Sequence, residues 1–200
     1  MKMYFVICVG LALGTGLVGC GDDGGSGGAT PTSSAFQGIH EVESWTLNSD
    51  GCDAEGESVL DQRSALILIE GCVLDLGFTS QSYLQAQECN DEAECQEVSC
   101  ADGSINLSGW AFEGGNDSQG WRGVSSFASG SGEGSCQGHL DTFVLSEGEE
   151  EGQLVLETKR VLVDDVGRDA DGFCDLDDLE AKAAGQPCAE LEVITINRAE

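Results

Sequence analysis

Ten cysteines are the residues of this 200-residue chain with the most chemistry available to them, and position divides them into three groups. Cys8 lies inside an apolar N-terminal run and Cys20 closes it, while Cys52, Cys72, Cys89, Cys95, Cys100, Cys136, Cys174 and Cys188 are spread over the remainder. The last group is even in number. In an oxidising compartment it predicts up to four disulfides, each contributing about 2–4 kcal/mol, chiefly by restricting the unfolded chain. Spacing speaks against zinc: in CNDEAECQEVSC the cysteines stand too far apart for paired C-x2-C ligands. A second group is acidic. In RDADGFCDLDD, Asp169, Asp171, Asp175 and Asp178 surround Gly172 in the pattern D-x-D-G-x-x-D-x-x-D. Such carboxylates, with a backbone carbonyl such as that of Phe173 and a glycine for the sharp turn, are hard oxygen donors of the kind that wraps calcium. The plainer expectation for so acidic a segment is a solvated loop.

Catalytic combinations are sparse. The chain has two histidines, of which His139 falls on the same strand face as Asp141, with Ser135 nearby in sequence. A Ser/His/Asp unit is defined by geometry rather than by order, and nothing in the sequence fixes that geometry. The string G-x-S-x-G occurs at Gly24–Gly28, but a nucleophile elbow needs a strand before it and a helix after it, and neither can form in this Gly-rich segment. Paired carboxylates for glycoside hydrolysis are available in abundance, but their separation is not readable. Trp110 and Trp121 flank FEGGNDSQG; an exposed pair there could stack on a sugar or other flat face, whereas strand tryptophans more often belong to the core.

The N-terminus carries an address. Met1 and Lys2 precede the apolar run YFVICVGLALGTGLVG, the charged and hydrophobic regions of an export signal. Leu17-Val18-Gly19-Cys20 resembles the lipobox of bacterial lipoproteins. The resemblance implies that residues 1–19 are removed and that Cys20 becomes a lipidated N-terminus bearing acyl chains of the palmitate type. Two or three chains at about 0.8 kcal/mol per buried methylene hold a protein on a bilayer. In enterobacterial lipoproteins an Asp directly after the cysteine favours the inner membrane; here Gly21 takes that place, so the resemblance points to the outer membrane over the inner. Residues 20–36 are a Gly/Ser/Thr-rich tether that can bury almost nothing. The acidic loop likewise resembles the calcium loops of EF-hand-like and thrombospondin type 3 repeats. It departs from the EF-hand at Gly167, where the first acid would stand, and at Asp178, where Glu is usual.

Residues 37–200 read as one acidic all-β domain. Short alternating runs such as GIHEVESWTL, GWRGVSSFAS, CQGHLDTFVLS and ELEVITINR are separated by Gly, Asn, Asp and Ser. About eight strands predict a single antiparallel meander, barrel or sandwich, stapled by disulfides, with the last strand pairing an early one to close the sheet. DLDDLEAKAAG predicts one short helix before the last strand, ended by a glycine cap at Gly185, with Cys174 and Cys188 placed to bridge around it. The layout is similar to a lipocalin-like meander at fold level, without that family's Gly-x-Trp signature. With 37 acidic against 8 basic residues, a net charge of −29 repels nucleic acid and anionic headgroups and favours cations or basic partners. These readings converge on a non-catalytic envelope lipoprotein, membrane-bound through its lipid, serving as a binding or structural module and stabilised by calcium. Its partner would be a protein, a glycan or a small apolar ligand. The alternatives are a lipocalin-like carrier of a small apolar ligand and an acid-dependent hydrolase.

Overall fold

The computed structural model describes residues 34–53, 55–75, 80–97, 109–130 and 134–198. Cys20 with most of its tether, and Cys100, lie outside the described residues. The strands are β1 (Gly38–Asn48), β2 (Glu57–Ser58), β3 (Leu66–Asp75), β4 (Ser80–Cys89), β5 (Trp110–Phe112), β6 (Gly114–Asn116), β7 (Gly120–Ser129), β8 (Cys136–Glu147), β9 (Gln153–Val166) and β10 (Glu190–Arg198). Helix α1 (Glu92–Glu97) follows β4 and α2 (Leu176–Ala183) precedes β10.

All pairings are antiparallel, in the order β5-β4-β3-β1-β10-β9-β8-β7-β6, with β2 added on β1. The two ends of that path, β5 and β6, are separated by Glu113 alone. Residues 110–116 are therefore one span that pairs β4 with its first half and β7 with its second, and the Glu113 N–H donates to the Arg122 carbonyl at 3.0 Å. The sheet curls into a nearly closed barrel of the meander type, which decides between barrel and sandwich. Closure needs a glycine: a Cβ on Gly123 would stand 1.9 Å from the Ala111 carbonyl oxygen of the facing span. The expected pairing of the last strand with an early one is the β1–β10 ladder, His40↔Arg198 to Asn48↔Leu191.

Strict alternation sends one face of each strand inward. Ile67 and Ile69, Leu84 and Ala86, Phe112, Phe143 and Leu145, Leu154 and Leu156, and Ile194 and Ile196 fill the interior with Trp45, Trp110 and Trp121. In β1 both His40 and Trp45 are buried, although five positions separate them. A β-bulge reconciles the two: Val42 faces Ile196 and Ser44 faces Thr195, so Glu43 has no opposite number and the alternation changes phase. The bulged Glu43 accepts hydrogen bonds from Gln153 Nε2 at 2.9 Å and Asn197 Nδ2 at 3.0 Å.

Tight turns at 117–119 and 148–152 lie at one end of the barrel, here the hairpin end, and the ends of β1, β4 and β9 lie at the other, the loop end. Phe36, 5 % exposed, joins the core at the hairpin end. Asp117 fixes that segment by accepting from Ser34 Oγ and the Ala35 N–H at 2.6 Å each, and from Trp121 Nε1 at 2.7 Å. Burial opposes ionisation of Asp117, but these three donors outweigh it and hold the carboxyl below its ordinary range.

Helix α2 covers the outside of β7–β9, placing Leu179 and Ala183 against Val163, Val166 and Cys136. Gly138 leaves room for it, since a Cβ there would come within 2.3 Å of Leu179 Cδ1. Asp175 caps the helix, its carboxylate accepting from the Asp177 and Asp178 N–H groups at 3.0 and 3.2 Å. The expected glycine cap does not form: Ala184 ends the helix in the right-handed region and Gly185 donates to the Lys182 carbonyl, so no left-handed residue is needed.

Three disulfides join Cys52 to Cys188, Cys89 to Cys95 and Cys136 to Cys174, and Cys72 is also disulfide-bonded. The bridge expected between Cys174 and Cys188 is replaced by two that tie the α2 connection to β8 and β10 to the β1–β2 connection. Helix α1, not anticipated from sequence, is held by the Cys89–Cys95 bridge and starts where the Asp91 carboxylate accepts the Glu94 N–H at 2.9 Å.

Candidate functional site: a charged layer inside the barrel

Along the inward face of β9 the residues run Leu154, Leu156, Thr158, Arg160, Leu162, passing from the apolar core to charge as the strand nears the loop end. Neighbouring strands repeat the change in register. Arg160 lies opposite Asp141 of β8 and Glu190 of β10, and Asp141 faces Ser125 of β7. Arg160 donates from Nε and Nη2 to the two carboxylate oxygens of Asp141, both at 2.8 Å, and from Nη1 to Glu190 Oε1 at 3.2 Å. This bidentate fork is the strongest form of the ion pair. Asp141 is 7 % exposed. The hydrogen bond from Arg160 to Asp141 raises the guanidinium further above its already high value, against burial.

Beside this pair stands a second acid. Glu192 accepts from Trp45 Nε1 at 2.8 Å, and Arg63 approaches it to 3.6 Å while its guanidinium lies 5.1 Å from the centre of the Trp45 ring. Burial dominates and pushes the Glu192 carboxyl above the usual range, with Trp45 and Arg63 pulling the other way. Trp110 Nε1 donates to Thr158 Oγ1 at 3.0 Å, so both buried indoles satisfy their N–H groups in this layer. One step further out, His139 Nε2 is 3.7 Å from Asp141 Oδ2, and its ring lies 5.4 Å from that of Phe127. Burial lowers the His139 pKa and the Asp141 charge opposes that shift. Leu162, opposite His139, is 57 % exposed.

The residues singled out in the sequence are distributed differently. His139 and Asp141 do share a face, but Asp141 is committed to Arg160, and Ser135 is exposed in the connection before β8. Trp110 and Trp121 are buried at 8 % and 9 % exposure and do not form the exposed stacking pair that their flanking positions suggested. Each turns inward because its strand's alternation puts it there, and each N–H finds an internal acceptor. Among the acids of the 168–178 loop, Asp169 Oδ1 accepts the N–H groups of Asp171 and Phe173 at 3.0 and 2.8 Å. Asp175 caps α2, and Asp178 Oδ2 accepts from the Gly167 N–H at 2.6 Å and from Lys182 Nζ at 2.8 Å. The Phe173 carbonyl accepts the Asp169 N–H at 2.9 Å. Among the described residues, no three His, Cys, Asp or Glu side chains are gathered as a metal site.

Sequence reading missed Arg160, Glu190, Glu192 and Arg63. A signal was present for Arg160: it continues the inward set Leu154, Leu156, Thr158, and an arginine in that position must carry its own counter-ions into the barrel. Comparison of the chain with protein-family models, with curated proteins and with solved structures finds no match. The class is therefore defined by architecture: an all-β protein made of one nearly closed antiparallel barrel, cross-linked by disulfides, with an ionised layer inside its loop end.

Proposed function

We propose that the chain is an envelope lipoprotein, held on a membrane through Cys20, whose barrel is a non-catalytic binding module working at the loop end. The observation that carries the binding half is the inward charged layer Asp141–Arg160–Glu190 with Glu192. Ionised groups turned into a barrel forfeit hydration, and a purely structural interior would favour the aliphatic packing seen at the hairpin end. The same packing, with Ile69, Leu84, Leu145 and Ile196 all at 0 % exposure, weighs against a small apolar ligand in that half and favours a polar partner such as a glycan or a protein segment at the loop end. The anchoring half rests on Leu17–Cys20 and the signal before it. Expression of Cys20→Ser in a bacterial host tests it: the variant should leave the membrane fraction for the soluble one, and continued membrane retention would refute anchoring through this residue. The binding half is tested with cis-parinaric acid and with an oligosaccharide panel, read by the emission of Trp45 and Trp110. Oligosaccharide-dependent quenching that disappears in Arg160→Gln supports the reading, whereas stoichiometric parinarate uptake would transfer it to an apolar carrier.

A second reading, an acid-dependent hydrolase, draws on Glu192, whose carboxyl burial shifts toward the protonated form in the same inward layer as Asp141. Hydrolysis of any glycoside or ester substrate that is lost in Glu192→Gln would support it, and the same rate in that variant would end it.

A further inference from the structure

The hairpin end carries a groove of its own, away from the loop-end layer. Its volume is about 430 Å³, with Phe36, His40, Glu149, Glu150, Glu151 and Arg198 on its wall. His40 is 2 % exposed. Its Nε2 lies 2.8 Å from the Phe36 carbonyl, an acceptor, so Nε2 carries the proton and Nδ1 presents a lone pair. Nδ1 is buried and has no partner among the described residues. Burial is the main force holding the imidazole below its ordinary value of 6.5, and Arg198 adds to it against the Phe36 bond, which keeps the ring neutral near pH 7. A buried acceptor left without a donor is destabilising, so any ligand that supplies an N–H there recovers part of that cost. The three turn glutamates are exposed and, among the described residues, make no ion pair. They outnumber Arg198 and leave the groove negative.

We propose that this groove binds a primary ammonium group, an alkylamine or a lysine side chain, which donates one N–H to His40 Nδ1 and sets its charge against Glu149, Glu150 and Glu151. The pairing follows from chemistry on both sides. An ammonium carries three donors and a compact positive charge, and the groove is lined both by the residue with the unpartnered buried acceptor and by several carboxylates. A metal ion would need further ligands around the imidazole, and no such group of three is assembled among the described residues. A quaternary ammonium would satisfy the charge but not the acceptor.

The test uses the full chain and its imidazole nitrogens. With two histidines in the sequence, a long-range proton–nitrogen spectrum resolves both, and His139→Gln assigns them. Titration with n-butylammonium chloride should move the His40 Nδ1 resonance along a saturable curve, while tetramethylammonium chloride at equal ionic strength leaves it in place. The exposed triple variant Glu149→Gln/Glu150→Gln/Glu151→Gln, which leaves the core untouched, should weaken the apparent affinity at least about threefold, since each lost unit charge near a surface is worth a few tenths of a kcal/mol. Three results overturn the proposal. They are a His40 signal unmoved up to roughly 100 mM amine, where even a millimolar site is filled; an equal response to tetramethylammonium; or a response to zinc chloride at lower concentration than to the amine.

Discussion

Removing the Cys52–Cys188 bridge by Cys52→Ala/Cys188→Ala should cost more stability than removing either of the other two assigned bridges. Its cysteines are 136 residues apart, against 38 for Cys136–Cys174 and 6 for Cys89–Cys95. Loop-closure entropy then gives about 5, 4 and 2 kcal/mol in that order at 25 °C. The Cys136–Cys174 bridge offers a shorter path around the large loop, but the logarithm limits that correction to roughly 0.3 kcal/mol. Packing would rank the pairs the other way. Cys136, Cys89 and Cys95 are buried at 0 to 1 % exposure, whereas Cys52 and Cys188 are half-buried, so truncation leaves the smaller void at the long-range bridge. The two causes therefore separate in one experiment. Urea unfolding of the three double variants, followed by tryptophan emission and analysed with a common slope, gives the three losses directly. A Cys52→Ala/Cys188→Ala loss below that of Cys89→Ala/Cys95→Ala would refute the entropic ranking and assign the bridges' contribution to packing.

Arg160→Gln should destabilise the fold by about 2–3 kcal/mol, because Asp141 is left with a buried charge and no fork to receive it; an additional Asp141→Asn should restore part of that loss, as a urea double-mutant cycle reads. His40 and His139 are both held below their ordinary value of 6.5, foremost by burial. The unfolded chain therefore binds protons that the folded one refuses, and stability present above that value is lost as the pH falls below it, at up to about 1.4 kcal/mol per pH unit for each histidine. His40→Gln should flatten the fall in urea midpoint on acidification, and an unchanged slope would count against the burial argument. Asp175→Ala removes the α2 cap and should cost about 1 kcal/mol, with faster amide exchange confined to α2. Low-millimolar calcium should leave the melting temperature within about 1 °C of the chelated protein, since ligand-linked stabilisation requires a site and the carboxylates of Asp169, Asp175 and Asp178 already close the loop on backbone N–H groups. A rise of several degrees would show that the loop rearranges around the ion.

Period-two alternation in the apolar runs was enough to predict a meander of about eight strands, and the acid-led DLDDLEAKAAG was enough to place α2. Barrel and sandwich were not separable, because closure depends on residues 110–116 pairing with two different neighbours, and no residue type records which neighbour a strand has. The bulge at Glu43 left only a trace, since Val42 and Trp45 stand at an odd spacing that strict alternation does not allow, while no residue type says which position is extruded. Trp110 and Trp121 flank a polar turn and so offered a surface-pair reading, but as strand tryptophans they were expected in the core. The barrel places them inside, where Thr158 and Asp117 take their N–H groups. The ionic layer was harder to see: in ETKRVLV the inward and outward positions both carry polar residues, so type alone does not separate Arg160 from the outward Lys159 and only its place in the series Leu154, Leu156, Thr158 marks it as inward. Even parity predicted the disulfides but not their partners, as pairing is a property of where the ends of strands meet.

The span 110–116 also sets where the ring is weakest. It has three registered pairs with β4 and three with β7, while β1–β3 has four, β3–β4 ten and β7–β8 nine. Opening either side of this clasp breaks the shortest ladder in the ring, and it exposes two strand edges at once while the disulfide-tied remainder keeps its shape. Hydrogen exchange should thus begin at Ala111 and Glu113 well before β8 or β9, and a neighbouring chain offering a strand would find its opening there.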